Sequence, residues 1–252
     1  MKQLALSALE GVPEILPGQD LGAVTVEALE RNGVDLLDGD VIVLAQKIVS
    51  KSEGRLVALA ETEPSPRARE LAASTGKDAR LVELVLRESN EVLRSRPGVL
   101  VVEQRLGIVI ANAGIDQSNV PGGDERALLL PVDPDASCDR LRASIRSALG
   151  VDVGVLVIDS AGRAWRNGVV GIAIGVSGLP ALVDRRGHLD RSGRPLLVTQ
   201  IAVADELAAA ASLLMGQADE GCPIVHARGV PYERRESALR ELIRPRNEDM
   251  FR

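Results

Sequence analysis

Continuous apolar runs alternate with amphipathic segments along this chain, and the two patterns predict different elements. Residues 41–45 and 153–158 are unbroken apolar runs, which is typical of strands buried on both faces. Residues 20–32 have helical periodicity, with Asp20 as a candidate N-cap and Gly33 just past the end. The pattern therefore predicts buried strands separated by helices.

The same patterns extend over the rest of the 252 residues. We expect further strands at 4–9, 98–103, 107–112, 128–131, 196–203 and 223–227. We expect further helices at 66–75, 78–93, 136–149 and 204–215, and a fraying helix in the Arg-rich tail at 234–252. Strands and helices alternate without a regular period, which predicts an α/β or α+β fold with a mixed β-sheet and flanking helices. The length allows one domain over 1–252, built as two interleaved lobes.

Composition and charge narrow the classes of function. The formal net charge of −6 argues against a general nucleic-acid binder, although one phosphate-binding pocket is compatible with it. The segment after Met1 lacks a cleavage pattern, and the apolar runs are too short to span a bilayer, so we expect a cytoplasmic protein without a membrane anchor. His188 and His226 are isolated, and Cys138 and Cys222 are far apart, so structural roles are favoured over metal binding.

Carboxylates at the ends of apolar strands are the main candidates for chemistry. Asp159 directly follows the run 155–158, and Asp116 follows 108–112 after a short loop. Ligands bind at the carboxyl ends of strands in open α/β sheets, and two such aspartates could hold Mg²⁺ or Mn²⁺ between phosphate oxygens. The alternative is that each aspartate caps a turn or a helix, and the pattern alone favours that structural interpretation.

Other polar residues have two interpretations each. Lys51, at the end of a strand-and-loop unit, is either a phosphate-binding cation or a solvated lysine. Asn119 is either a nucleotide contact or the support of an Asx-turn. Arg163 and Arg166 flank Trp165, where they could clamp an anionic substrate, or Arg166 could stack on the indole.

Standard nucleotide-binding fingerprints do not account for this sequence. The chain has no G-x-x-x-x-G-K-[ST] loop and no G-x-G-x-x-G after a strand. The glycine spacing at 171–175 resembles such a loop only loosely, and it favours close packing of backbones instead.

Five long segments together resemble one known family. In chain order they are DGDVIVLAQKIVSKSEGR at 38–55, ANAGIDQSNV at 111–120, LPVDPD at 130–135, DSAGRAWR at 159–166 and AVADELA at 202–208. They resemble the coenzyme F-420:L-glutamate ligases, also called F-420-0 gamma-glutamyl ligases, and the resemblance runs from about residue 9 to about residue 229. Ser160 departs from the usual Thr, and Gln46 stands where some relatives have Ser.

The resemblance implies a GTP-dependent ligase of coenzyme F-420 biosynthesis. GTP would phosphorylate a carboxylate of the deazaflavin precursor coenzyme F-420-0, and the amine of L-glutamate would attack the acyl phosphate. A second glutamate would follow in gamma linkage. The family resemblance also implies Mg²⁺ or Mn²⁺, K⁺ as an additional cation, a two-lobed architecture and a homodimer with sites near the subunit contact. We expect no C-terminal flavin reductase domain.

Residue by residue, the resemblance also implies a site. The residues matching GTP contacts are Val12, Pro13, Glu14, Ile15, Gln46, Lys51, Asn119, Met215, Gly216, Gln217, Ala218, Asp219 and Glu220. The residues matching metal ligands are Asp116, Asp159, Ser160 and Gln217. Asp116, Asp159 and Lys51 are the candidate catalytic residues.

Two alternative functions stay open beside this one. The chain could be a related GTP- and metal-dependent amino-acid ligase that acts on another phosphorylated acid. It could also be a non-catalytic guanine-nucleotide-binding protein. That second alternative predicts loss of the metal ligands, yet Asp116, Asp159 and Ser160 are all present.

Overall fold

The computed structural model describes residues 1–120 and 122–250 and contains a mixed sheet with flanking helices. The strands are β1 (Ala5–Ala8), β2 (Val41–Ala45), β3 (Leu56–Ala58), β4 (Ser89–Arg96), β5 (Val99–Gln104), β6 (Val109–Ala111), β7 (Arg126–Leu128), β8 (Gly154–Arg163), β9 (Arg166–Ser177), β10 (Val183–Asp184), β11 (Gln200–Ile201) and β12 (Ile224–Arg228). The helices are α1 (Leu21–Arg31), α2 (Gln46–Ser52), α3 (Pro66–Thr75), α4 (Ala79–Arg87), α5 (Pro134–Leu149) and α6 (Val203–Met215).

The central sheet has five strands in the order β1-β12-β2-β8-β9. β2 and β8 pair in parallel, and the other neighbours pair antiparallel. Alternate residues of β2 enter two different cores: Ile42 and Leu44 join the core that includes α1 and α5, whereas Val41 and Val43 join the core that includes α6. Burial on both faces explains why the sequence of β2 is continuously apolar.

A third core lies under the three-stranded sheet β4-β5-β6. Leu71 of α3 and Val85 of α4 pack there with Leu100 and Val102 of β5. The mixed α/β fold class predicted from the sequence is confirmed. No helix in the described ranges is long and apolar enough to cross a membrane.

Local signals set the ends of the main helices. The Asp20 side chain accepts a hydrogen bond from the Gly22 amide at 2.8 Å, as expected of an N-cap. Asp133 caps α5 in the same way, and Pro134 begins that helix. α5 ends at Gly150, whose φ of 73° is the left-handed conformation that favours glycine.

The glycines at 171 and 175 are packing residues, which confirms the structural interpretation. A Cβ on Gly171 would lie 2.4 Å from the Ala208 carbonyl oxygen of α6. A Cβ on Gly175 would lie 2.6 Å from the backbone of Pro134. Both helices can approach β9 this closely only because these two positions lack side chains.

Four predicted elements before residue 234 were wrong in extent or type. The strand expected at 128–131 lies at Arg126–Leu128 instead. The helix expected at 78–93 ends at Arg87, and β4 then pairs with β5, for example Val92 with Val102. The strand expected at 196–203 is reduced to Gln200–Ile201. β8 does not stop at residue 158 but continues to Arg163 as one arm of a long hairpin with β9.

The C-terminal tail is not the α-helix expected for 234–252. It contains short 3₁₀ turns at Leu239–Leu242 and Arg246–Glu248, while residues 251 and 252 lie outside the described part of the chain. Its backbone is held by distant partners, since the Leu239 amide donates to the Asp135 carboxylate. Such contacts from another part of the fold override local helix preference.

Candidate active site

A cavity of about 770 Å³ lies where β2 ends and α2 begins, beside the middle of β8. Segments 12–15, 45–48, 158–160 and 215–223 line it, together with Lys51, Ser212 and four residues of the 117–123 loop: Gln117, Asn119, Val120 and Gly123. Segments separated by some two hundred positions in sequence therefore meet in one place. Every residue matched to a GTP contact lines this cavity, as do Asp159, Ser160 and Gln217.

Asp159 is a partly buried carboxylate within β8, next to a register shift between Val157 and Ile158. Burial and the negative charge of Asp116 raise the pKa of Asp159 to about 7, although its Oδ1 accepts a 2.7 Å hydrogen bond from the Ser160 amide. Repulsion between two nearby carboxylates is relieved by a proton or by a cation. The electrostatics of Asp159 therefore suit cation binding.

Asp116 is the second carboxylate of the pair. Burial raises its pKa, while Lys47 and Gln46 oppose part of that rise. Lys47 Nζ lies 3.6 Å from Asp116 Oδ2, and Gln46 Nε2 donates to the same oxygen at 2.8 Å. Asp116 is not among the residues that line the cavity, but these contacts place it directly behind Gln46 and Lys47, which do line it.

A tight turn sets the position of Asp116. Asn112, Ala113 and Gly114 have φ values of 52°, 56° and 69°, so three successive residues are left-handed. A Cβ on Gly114 would lie 2.7 Å from the Leu130 side chain, and glycine is therefore required there. The Asp116 amide and carbonyl then pair with Leu128 at 3.0 and 2.8 Å. Strained backbone of this kind is often retained at functional sites.

Two lysines of α2 line the cavity and bring positive charge to it. Lys51 Nζ donates to Glu14 Oε1 at 2.6 Å, which ties α2 to the 12–15 loop. Lys51 therefore lies in a helix, and its expected place in a loop was wrong. Lys47 Nζ donates to Ser118 Oγ at 2.9 Å. Sequence reasoning missed Lys47, although its spacing of four residues from Lys51 puts both on one helix face.

The 215–220 loop closes one side of the cavity through specific contacts. Ser160 Oγ donates to Gln217 Oε1 at 2.7 Å, so two residues matched to metal ligands are in contact. Asn119 Nδ2 donates to the Ala218 carbonyl at 3.0 Å. Within the loop, the Ala218 amide donates to Glu220 Oε2 at 2.8 Å. These bonds link the loop to β8 and to the 117–123 loop.

The donor chemistry fits a hard divalent cation. Asp116, Asp159, the Ser160 hydroxyl and the Gln217 amide oxygen are all oxygen donors, as Mg²⁺ and Mn²⁺ prefer. Over residues 1–120 and 122–250, no group of three or more His, Cys, Asp or Glu residues gathers as a metal site. A cation held here would thus depend on two carboxylates, neutral oxygens and substrate phosphate.

Other candidates from the sequence lie elsewhere or have structural contacts. His226 Nε2 is 2.8 Å from Asp40 Oδ2 in the core, and Cys138 is fully buried, so the structural interpretation holds for both. Cys222 was expected to be buried, but it is only half-buried and lines the cavity. Trp165 lies at the exposed end of the β8–β9 hairpin with Arg163 and Arg166 beside it.

Comparison with known proteins identifies the class to which this fold and site belong. The model of the F420-0:Gamma-glutamyl ligase family matches residues 11–229, and the chain belongs to this family of ligases. The coenzyme F420:L-glutamate ligase of Methanothermobacter thermautotrophicus is 48% identical over 251 residues, covering 99% of each chain. The enzymes of the same name from Methanopyrus kandleri and Archaeoglobus fulgidus are 48% and 46% identical, covering 97% of this chain and 97% and 94% of their own lengths. The family recognised from five segments is confirmed.

Proposed function

We propose that this chain adds L-glutamate to the deazaflavin precursor coenzyme F-420-0, with GTP as phosphoryl donor and Mg²⁺ or Mn²⁺ as cofactor. The observation that carries the proposal is the single cavity in which all residues matched to GTP contacts meet beside Asp159 and Ser160. The names of the similar ligases support the two organic substrates. K⁺ is proposed as an additional cation on the family resemblance alone.

The cavity suits a nucleoside triphosphate in size and charge. Its volume of about 770 Å³ falls in the range of small-molecule sites. Lys47 and Lys51 supply two cations on one wall, and Asp116 and Asp159 supply two carboxylates nearby. The lysines can bind the negatively charged phosphate groups of the nucleotide. The carboxylates can bind the divalent ion that accompanies those phosphates.

The reaction proceeds in two steps. A carboxylate oxygen of the acceptor acid attacks the γ-phosphorus of GTP. The bond from that phosphorus to the β–γ bridging oxygen breaks, and GDP leaves. The amine of L-glutamate then attacks the acyl phosphate carbon and loses a proton, and inorganic phosphate leaves as the amide forms. Phosphorylation is needed because a free carboxylate is a poor electrophile. A second L-glutamate is joined in gamma linkage by the same two steps.

Individual residues contribute by binding and by electrostatics. Asp116, Asp159, Ser160 and Gln217 would hold the divalent ion, which would neutralise charge on the transferring phosphoryl group when bound. Lys51 offers its ammonium group to phosphate oxygens, since its partner Glu14 is largely exposed and can be exchanged. Asn119 and the 12–15 and 215–220 loops contact the rest of the nucleotide.

Mass spectrometry of a defined reaction tests the function. Purified protein is incubated with GTP, Mn²⁺, L-glutamate and coenzyme F-420-0, and the same mixture with EDTA or with ATP serves as control. We expect a product heavier by one or more glutamyl units that forms only with GTP and metal. GTP binding without product would move the search to other acceptor acids. A protein that binds no GTP would contradict the catalytic proposal.

We also propose a homodimer, because apolar side chains remain exposed on the described surface. Trp165, Leu197, Val198 and Leu213 are 79–89% exposed, and we propose the subunit contact at Val198 and its neighbour Leu197. Light scattering after size exclusion should give twice the 26.7 kDa of one chain. Val198→Glu should lower that mass if this surface is the contact, whereas the exposed control Val109→Glu should not.

A further inference from the structure

Gln46 occupies an unusual place for a residue matched to a nucleotide contact. It is the first residue of α2 and lines the cavity, yet the residue is only 1% exposed. Both polar atoms of its side chain are engaged within the protein. Ser50 Oγ donates to Gln46 Oε1 at 2.8 Å, and Gln46 Nε2 donates to Asp116 Oδ2 at 2.8 Å.

These two bonds permit only one orientation of the amide. An ionised Asp116 carboxylate can only accept hydrogen bonds, so it must face Nε2 and not Oε1. The Ser50 hydroxyl, which is fully buried one helical turn along α2, then satisfies Oε1. A reversed amide would set two acceptors against each other, which is costly at a buried position.

The main chain of Asp116 is already fixed by two hydrogen bonds to Leu128. Rotation of the side chain is therefore the remaining freedom of its carboxylate. The Gln46 amide removes that freedom by holding Oδ2, the same oxygen that Lys47 approaches. Holding Oδ2 also fixes the orientation of the other oxygen, Oδ1.

We infer that Gln46 is a positioning residue, which orients the Asp116 carboxylate for the divalent cation through the chain Ser50–Gln46–Asp116. This inference rests on the proposed function, and it gives Gln46 a role other than direct nucleotide contact. Residues that orient a metal ligand from behind commonly contribute ten- to a hundredfold in metal affinity.

Gln46→Glu tests the inference, since it keeps the shape and replaces the donor with an acceptor that repels Asp116. Mn²⁺ is titrated by electron paramagnetic resonance with saturating GDP, and GDP affinity is measured separately by calorimetry in EDTA. We expect Mn²⁺ affinity to fall about ten- to a hundredfold, with GDP affinity in EDTA within twofold of wild type. Ser50→Ala should also lower Mn²⁺ affinity, but by a smaller factor. It is the test variant to use if Gln46→Glu does not fold.

Gln104→Glu is the matched control, because Gln104 is also buried but accepts a hydrogen bond from the Leu106 amide on the β4-β5-β6 sheet. It should leave Mn²⁺ affinity unchanged. If both Gln46→Glu and Ser50→Ala bound Mn²⁺ with wild-type affinity, the inference about Gln46 would be overturned and the proposed function would stand. An equal loss of GDP affinity in EDTA would overturn it by making Gln46 a nucleotide contact. If wild-type protein bound no Mn²⁺, both the metal site and the inference would fall.

Discussion

Two aspartates lie near opposite ends of β2, Asp40 just before its first residue and Asp159 on β8 beside its last, and their surroundings are opposite. Asp40 precedes β2 and is 3% exposed, with Arg228 Nη2 at 2.6 Å and His226 Nε2 at 2.8 Å. Burial alone would raise the pKa of Asp40, but hydrogen bonds from Arg228, the Leu37 amide and His226 hold it below the usual value. At the other end, burial and the charge of Asp116 raise the pKa of Asp159 to about 7.

The difference separates a structural carboxylate from a candidate functional one. Asp40 has its charge matched inside the protein, so the fold itself is its partner. Asp159 has a carboxylate neighbour, and the Ser160 amide and Lys47 oppose only part of the rise in its pKa, so a bound cation can match its remaining charge. A buried charge that the fold does not balance is a mark of a functional site, because folding alone would not favour it.

Replacing Asp159 should produce the largest effect, and it should act on catalysis rather than on folding. Asp159→Asn keeps the size of the side chain and removes one charge from the pair. We expect glutamyl transfer to fall by more than about a hundredfold, because charge stabilisation in the transition state is lost. Mass spectrometry measures product, and circular dichroism checks the fold. Near-normal turnover would remove Asp159 from the proposed metal site.

Replacing Asp40 should lower the stability of the fold and leave catalysis nearly unchanged. Asp40→Ala leaves Arg228 and His226 without their shared partner, and breaking a buried ion pair costs about 3 kcal/mol. Urea unfolding should show that loss, while turnover per folded molecule stays within twofold of wild type. Stability equal to that of wild type would mean that the cluster around Asp40 does not hold the end of the sheet.

Much of this comparison could be drawn from the sequence. The continuous apolar runs identified β2 and β8, and the family resemblance brought Asp116 and Asp159 into one predicted site. The partners of these residues could not be predicted in the same way. Lys47 reaches Asp116 only because the left-handed turn at 112–114 returns the chain to α2. A contact between residues 69 positions apart has no local signal.

Fold errors arose where distant pairing competes with a local pattern. Val92 continues the apolar periodicity of α4, yet it pairs with Val102 because β5 offers a full set of backbone partners. Asp159 was expected at the end of a strand, but pairing with β9 extends β8 past it. Sequence patterns therefore found the strands near the candidate site, but they did not fix where those strands end.

Lys51 and Arg228 each make a 2.6 Å contact with a carboxylate, but the two carboxylates differ in exposure. Asp40, the partner of Arg228, is buried, whereas the side chain of Glu14, the partner of Lys51, is 59% exposed. A phosphate group can therefore replace Glu14 as the partner of Lys51. Lys51→Ala should weaken GTP binding about tenfold in calorimetry, an amount typical of one charged hydrogen bond. Lys77→Ala, at a lysine outside the cavity lining, is the control. Equal GTP affinity in both variants would return Lys51 to a purely structural role.

The smallest expected effect is a difference in how the stability of metal-free protein depends on pH. Asp159 has an ordinary pKa of 3.8 and a folded pKa of about 7, so between these values the folded state keeps a proton that the unfolded state has lost. Unfolding then releases a proton, and the contribution of Asp159 to stability falls as pH rises, with the full loss reached above about pH 7.

The contribution of Asp40 to stability depends on pH in the opposite direction. Because its pKa is lowered, Asp40 stabilises the fold above its ordinary pKa of 3.8, and that stability is lost on acidification. Thermal melts in EDTA from pH 5 to pH 8 separate the two aspartates, since Asp40 stays ionised throughout this window. Asp159→Asn should melt a few degrees higher than wild type at pH 8, with the gap closing toward pH 5. Added Mn²⁺ should raise the melting temperature of wild type but not of the variant. Curves that stay parallel from pH 5 to pH 8 would mean that Asp159 carries no uncompensated charge, and the contrast between the two ends of β2 would be lost.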